Sequence, residues 1–137
     1  MTLLSCAGTA TRTAGQPAAR PLSLDQTWQL TVLNGRSVPD DSKTVTLSFN
    51  PEAGIFRGQT ACNFFAGAYT LGSAAPDGKL PLSVDFLGSG SVQCPEADMN
   101  AEERFLATLK KATAILIGEH TLAIYQGDRE ILRFELR

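Results

Sequence analysis

The stretch IFRGQTACNFFAGAYTLG, residues 55–72, decides how this chain is built. Apolar and polar residues alternate on both sides of a short break, which predicts one strand running into the motif TACNFFAGAY (60–69) and a second through Phe65 to Leu71. Gly58 and Gly67 inside these runs predict bulges or bends, where a sheet curves as it closes, and Gly67 permits either curvature or close packing. Phe65 and Tyr69 form the buried aromatic side of the second strand, and Asn63 is placed to turn its amide back to the backbone where that strand begins. Cys62 stands among aromatic residues in a chain with three cysteines, and its position raises the question of what it is tied to.

Outward from this hairpin the chain continues as short strands and turns. TWQLTVLNG (27–35) places Trp28, Leu30 and Val32 on one face and ends in the turn pair Asn34-Gly35. KTVTLSFNPEAG (43–54) alternates Val45, Leu47 and Phe49 inward before Asn50-Pro51 breaks the run, and KLPLSVDFLGSGS (79–91) reads as a further strand. Residues 112–137 read as three strands joined at Gly118-Glu119-His120 and Gly127-Asp128. Between them, Pro95 to Ala112 predicts a helix with Glu96 and Asp98 in its first turn and Lys110 and Lys111 in its last. Met99, Phe105, Leu106, Leu109 and Ala112 lie close to one face of that helix, a stripe for packing on a sheet. The expectation is a mainly β (α+β) domain, a small antiparallel barrel-like sheet with one amphipathic helix packed on it. Closure into a barrel removes exposed strand edges. Whether its interior is filled or holds a cavity is open at this level, because small barrels do both.

Composition narrows the function classes. The chain has 137 residues, 43% hydrophobic and 19% charged, with a formal charge of −2, which suits one ordinary globular core. Charges of both signs are scattered, so there is no footprint for nucleic acid. The polar, Ala/Thr/Pro-containing segment 7–26 reads as a flexible tether, which places the folded domain at 27–137. Ahead of it, MTLLSC resembles a lipobox, with Leu3 and Ser5 before Cys6; this implies cleavage before Cys6 and a diacylglyceryl anchor on its thiol. Only five residues precede Cys6, fewer than a signal segment needs. The other reading is a stray cysteine on an arm of a cytoplasmic protein. In the lipoprotein reading Cys62 and Cys94 remain as an even pair and are expected to form one disulfide, the alternative being two reduced, buried thiols.

No catalytic or metal inventory stands out. His120, the one histidine, is placed in a turn beside Glu119, and the acidic neighbours Asp40-Asp41 and Glu102-Glu103 point apart or sit in a loop. GSGS (88–91) lacks the Lys and the following helix of a phosphate loop. Cys62, Cys94 and His120 would be at most three zinc ligands, with no Cys-x-x-Cys. The expectation is a non-enzyme with no metal and no cofactor.

Taken together, Trp28-x-Leu30, Gly58-x-x-Ala61-Cys62-Asn63-x-Phe65-x-Gly67-x-Tyr69, Cys94, Glu103-x-Phe105-Leu106-x-x-Leu109, Leu122-x-Ile124 and Leu132-x-Phe134 resemble the META domain, or HslJ-like, family over about residues 28–136. Two positions depart from the family pattern. Ala61 stands where a Gly is usual, and Gly90 to Gln93 replace Thr-x-Met-Ala before the second cysteine. The resemblance implies a compact β domain found in bacterial envelope proteins, often lipoproteins, associated with heat-shock induction and with no established enzymatic activity. Joined to the lipobox reading, the expectation is a monomeric lipoprotein held to the membrane through Cys6 and binding an unidentified envelope protein, and Gly8 rather than Asp two residues after Cys6 places it at the outer membrane, facing the periplasm. The alternative expectation is a lipocalin-like carrier with a small hydrophobic ligand in the barrel.

Overall fold

The computed structural model describes Leu22, residues 26–39 and residues 44–137. Nine strands and one helix follow along these residues: β1 (Trp28–Leu33), β2 (Arg36–Ser37), β3 (Thr46–Asn50), β4 (Ile55–Gln59), β5 (Phe64–Leu71), β6 (Leu80–Ser89), α1 (Glu96–Leu109), β7 (Ala114–Ile117), β8 (Thr121–Gln126) and β9 (Arg129–Leu136). They form one antiparallel sheet in the order β9-β8-β7-β6-β5-β4-β3-β1-β2, and β9 also pairs with β1. Eight strands therefore close a barrel, and the two-residue β2 hangs beside β1. Tight turns make this sequence of hairpins possible. Asn34 and Gly35 both take positive φ, 49° and 83°, the conformation a two-residue hairpin turn requires.

The barrel interior is filled by side chains. Tyr69 meets Phe49 edge-on at 5.3 Å between ring centroids, and the line of rings continues through Phe56 and Phe65 to Phe105 and Phe134. Trp28, Leu47, Ile115, Leu122, Ile124, Leu132 and Phe134 are essentially without solvent contact. The interior void bounded by Leu47, Phe49, Phe56, Tyr69, Leu82, Val84, Leu109 and Ile124 holds only about 10 Å³. That is at or below the space one water needs. This void is far smaller than the lined cavity of about 300 Å³ or more that the lipocalin-like alternative expects.

The helix lies across one end of the barrel. Phe105 and Leu109 bury against the core, with the Phe105 ring 5.4 Å from Phe65 and 6.4 Å from Phe134. The β1–β2 turn touches it where Asn34 Nδ2 donates to Thr108 Oγ1 at 3.3 Å, and Glu102 reaches the β4–β5 turn. No helix among the described residues is long and apolar enough to cross a membrane.

Several sequence expectations are corrected in detail. The helix is shorter than Pro95 to Ala112: it runs from Glu96 to Leu109 with Pro95 as N-cap and Lys110 as C-cap, so Lys110 and Lys111 follow its last turn. Met99 is 40% exposed and does not join Phe105 and Leu109 on the core face. The register between β1 and β9 shifts at Arg133/Phe134, where Thr31 is left without a ladder partner. Inward and outward exchange there, so Leu33 packs on the core instead of Val32. Cys62 and Asn63 lie in the turn between β4 and β5 and not within a strand. The folded unit also begins before residue 27, since Leu22 is buried in the core. Its apolar side chain takes part of what the polar composition around it assigned to the tether.

Candidate functional site

Motif residues of the β4–β5 hairpin divide into two groups with different tasks. The first is an aromatic–glycine lock. Cross-strand register pairs Phe56 with Gly67 and Gly58 with Phe65, so each ring lies over the bare Cα of a glycine on the neighbouring strand. A Cβ on Gly58 would overlap the Phe65 ring and the Thr46 carbonyl, and one on Gly67 would overlap the Phe56 ring and the Phe86 carbonyl. The expected bulges are therefore not at these glycines. The register shift of β5 against β6 falls at Ala68/Tyr69, and Gly58 and Gly67 serve close packing under rings.

The second group is a polar brace. The Thr60 hydroxyl donates to Glu102 Oε1 at 2.7 Å while accepting the backbone N–H groups of Cys62 at 3.1 Å and Asn63 at 2.9 Å. Asn63 Nδ2 donates to Glu102 Oε2 at 3.2 Å, and its Oδ1 accepts from the Val92 N–H at 2.9 Å. The Thr60 proton and both its lone pairs are used, as are both Glu102 oxygens. Cys62 and Cys94 form a disulfide with Cα atoms 5.9 Å apart, which ties this turn to the residue before the helix N-cap. Helix, turn and the loop through Val92 are held together by one covalent and several polar links. These links hold the Thr60 hydroxyl and the Glu102 carboxylate in fixed positions between helix and turn.

The remaining candidates are scattered. His120 is 78% exposed in its side chain, with Nδ1 3.9 Å from Glu119 Oε1, and stands in the β7–β8 turn away from the brace. Glu103 faces solvent while its neighbour Glu102 is half-buried. Trp28 is at the centre of the core, where its Nε1 has no hydrogen-bond partner; nothing in the structure explains that orphaned donor. Among the described residues there is no group of three or more His, Cys, Asp or Glu side chains that could hold a metal ion. Cys6 and Asp40-Asp41 lie outside the described residues.

A surface the sequence reading missed lies on the outer wall of the same strands. Phe64 is 72% exposed and Phe86 66% exposed, and they flank a groove of about 740 Å³ over Ala66 and Gly88. Arg57 and Gln59 from β4 form the opposite side. Phe64 was legible in principle: two consecutive phenylalanines in a strand must face opposite sides, and Phe65 is inside. Phe86 was not. Strict alternation with Leu82 and Val84 would put it inside, but Asp85 is left out of the ladder between Val84 and Phe86, and the side chains beyond it change faces.

A closed eight-stranded antiparallel barrel capped at one end by a single helix, with a filled core and a disulfide-braced turn, defines the class of protein. The profile of the META domain matches residues 20–137, and the chain belongs to that family. Solved structures share the fold: a protein from Burkholderia xenovorans is 21% identical with a TM-score of 0.60, covering 94% of this chain and 98% of its own. A second protein determined by NMR is 19% identical with a TM-score of 0.55, covering 82% and 89%. A DUF4847 family protein from Bacteroides vulgatus is 14% identical with a TM-score of 0.53, covering 82% and 92%. No curated protein matches the chain.

Proposed function

We propose that this META domain is a non-enzymatic binding module of the bacterial envelope, an outer-membrane lipoprotein facing the periplasm through an acylated Cys6, which docks a protein partner on the Phe64/Phe86 face. The observation that carries this reading is the pair of solvent-exposed phenylalanines on the wall of a barrel whose interior is already full. Exposed apolar surface rimmed by polar groups is the usual mark of an interaction site. Phe and Arg are also the residue types that anchor interfaces, and Arg57 stands beside the two rings. The saturated brace and the family membership support a role without chemistry at the motif. The HslJ-like part of the resemblance adds the expectation of envelope stress functions.

The test uses protein purified from the membrane fraction of its own host after chemical cross-linking, read by intact mass. The expected result is a chain cleaved before Cys6 with added acyl mass, and a cross-linked adduct that disappears in the Phe64→Ser/Phe86→Ser variant. An unacylated chain, or an adduct unchanged in that variant, would overturn the reading.

A further inference from the structure

A second void lies outside the barrel core, between the rim of the barrel and the first half of α1. It measures about 290 Å³, against about 10 Å³ in the core, and its walls include Leu30, Leu33, Val45, Ala61, Ala101 and Phe105. Of the polar groups at its edge, Thr60 and Glu102 use their oxygens on each other and on Asn63, Cys62 and the turn backbone, Thr44 donates to the Pro39 carbonyl, and Asp98 is engaged as well. Arg104 marks the opening toward solvent.

The void persists because its walls cannot close on it. Glu102 is held at hydrogen-bond distance from the β4–β5 turn, and the Cys62–Cys94 disulfide fixes the approach to the helix. The brace and the disulfide thus fix the first half of the helix relative to the barrel rim that carries Leu30 and Val45, and that rim belongs to strands of the closed barrel. An unfilled apolar space of this size costs contacts that a ligand would restore. Its volume corresponds to roughly ten water-sized groups at about 30 Å³ each. Aliphatic side chains make up just over half of the lining, Phe105 is its one aromatic ring, and Thr44, Asp98 and Arg104 join Thr60 and Glu102 as its polar members.

We infer that this void binds the alkyl chain of an amphiphile, with the head group left in solvent at the rim near Arg104. The inference is independent of the Phe64/Phe86 face. It also differs from a lipocalin-type cavity, since the site lies under the helix and not within the barrel.

The isotopically labelled full chain, titrated with saturated carboxylates from hexanoate to dodecanoate below their self-association limits and followed by amide chemical shifts, tests it. Saturable one-site shifts around Leu30, Val45, Ala61 and Ala101 are expected, tightening by about fourfold per added methylene until the void is full. Two variants, Ala101→Phe from the helix and Ala61→Phe from the turn, each place a ring in the void. Either one that keeps the wild-type spectrum elsewhere is expected to weaken decanoate by about tenfold or more. A decanoyl lysophospholipid that binds as well as decanoate would identify a membrane lipid as the source of the chain, and binding by the free acid alone would identify a free carboxylic acid. Absence of saturable shifts, shifts centred on Phe64 and Phe86, or decanoate binding unaltered in a folded ring-filled variant would overturn the proposal.

Discussion

At Gly67 a methyl group has nowhere to go. The Phe86 carbonyl and the Phe56 ring both crowd the place where its Cβ would stand, and both belong to strands of the barrel. Overpacking of this kind costs about 1–3 kcal/mol, so Gly67→Ala is expected to lower the free energy of unfolding by that amount in a denaturant titration, with the slope unchanged. A variant as stable as the parent would mean the ring moves aside freely. Asp85 shows a second residue-scale effect. The Ser83 hydroxyl and then the Thr70 hydroxyl, each 2.6 Å away, donate to its carboxylate and hold its pKa below the usual range. A depressed folded value means stability that is present above the unfolded pKa of about 3.9 and lost as pH falls through the folded one. Asp85→Asn is expected to flatten the acid arm of the stability–pH profile, and superimposable profiles would show that the hydroxyls do not favour the charged form. At this scale the sequence was readable where alternation was regular. Phe65 and Tyr69 went inside as their spacing predicts, while Phe86 went outside because Asp85 breaks the ladder.

Among the elements, the helix and the loop ahead of it depend most on long-range links. The existence of α1 followed from Pro95, its early acidic residues and its apolar spacing, yet only one narrow side of it is buried, at Phe105, Thr108 and Leu109. A helix laid across a barrel end touches the core along a short contact, which is why Met99 a turn and a half earlier stays exposed. The Cys62–Cys94 link spans 32 residues. By chain entropy, closing such a loop is worth about 3–4 kcal/mol, so Cys62→Ser/Cys94→Ser is expected to lose about that much stability under oxidising conditions. A loss near zero would assign the tie to the polar brace alone. The brace itself was not legible: Thr60, Asn63, Val92 and Glu102 share no spacing in the chain, and their meeting is set by where the helix comes to rest.

For the whole molecule, closure is the decisive event. The seam joins β1 to β9, from near the start of the described chain to its end, and is bounded by the Asn34 N–H on the Ile131 carbonyl and the Arg137 N–H on the Thr27 carbonyl, each at 2.9 Å. Pairings so distant in sequence form at a high entropic cost and are rewarded only when the ring is complete. Hydrogen exchange at the seam amides is expected to be as slow as in the β4–β5 hairpin, since an opened seam exposes the core. Faster exchange confined to β1 and β9 would show a barrel that opens without unfolding.

Length, charge, the turn pairs and the period-two alternation determined a single β domain with one helix, and the run of short patterns from Trp28 to Phe134, with the Gly58 to Tyr69 motif the most specific of them, determined its family; each is a local property, carried by near neighbours along the chain. The close packing of the interior, the outward turn of Phe86 that completes the groove beside Phe64, the Glu102 brace and the void beneath α1 were decided by the tertiary structure alone. Each depends on ladder irregularities and on a helix position that arise only when strands far apart in sequence pack together, and a residue's periodicity holds no record of where those shifts will fall.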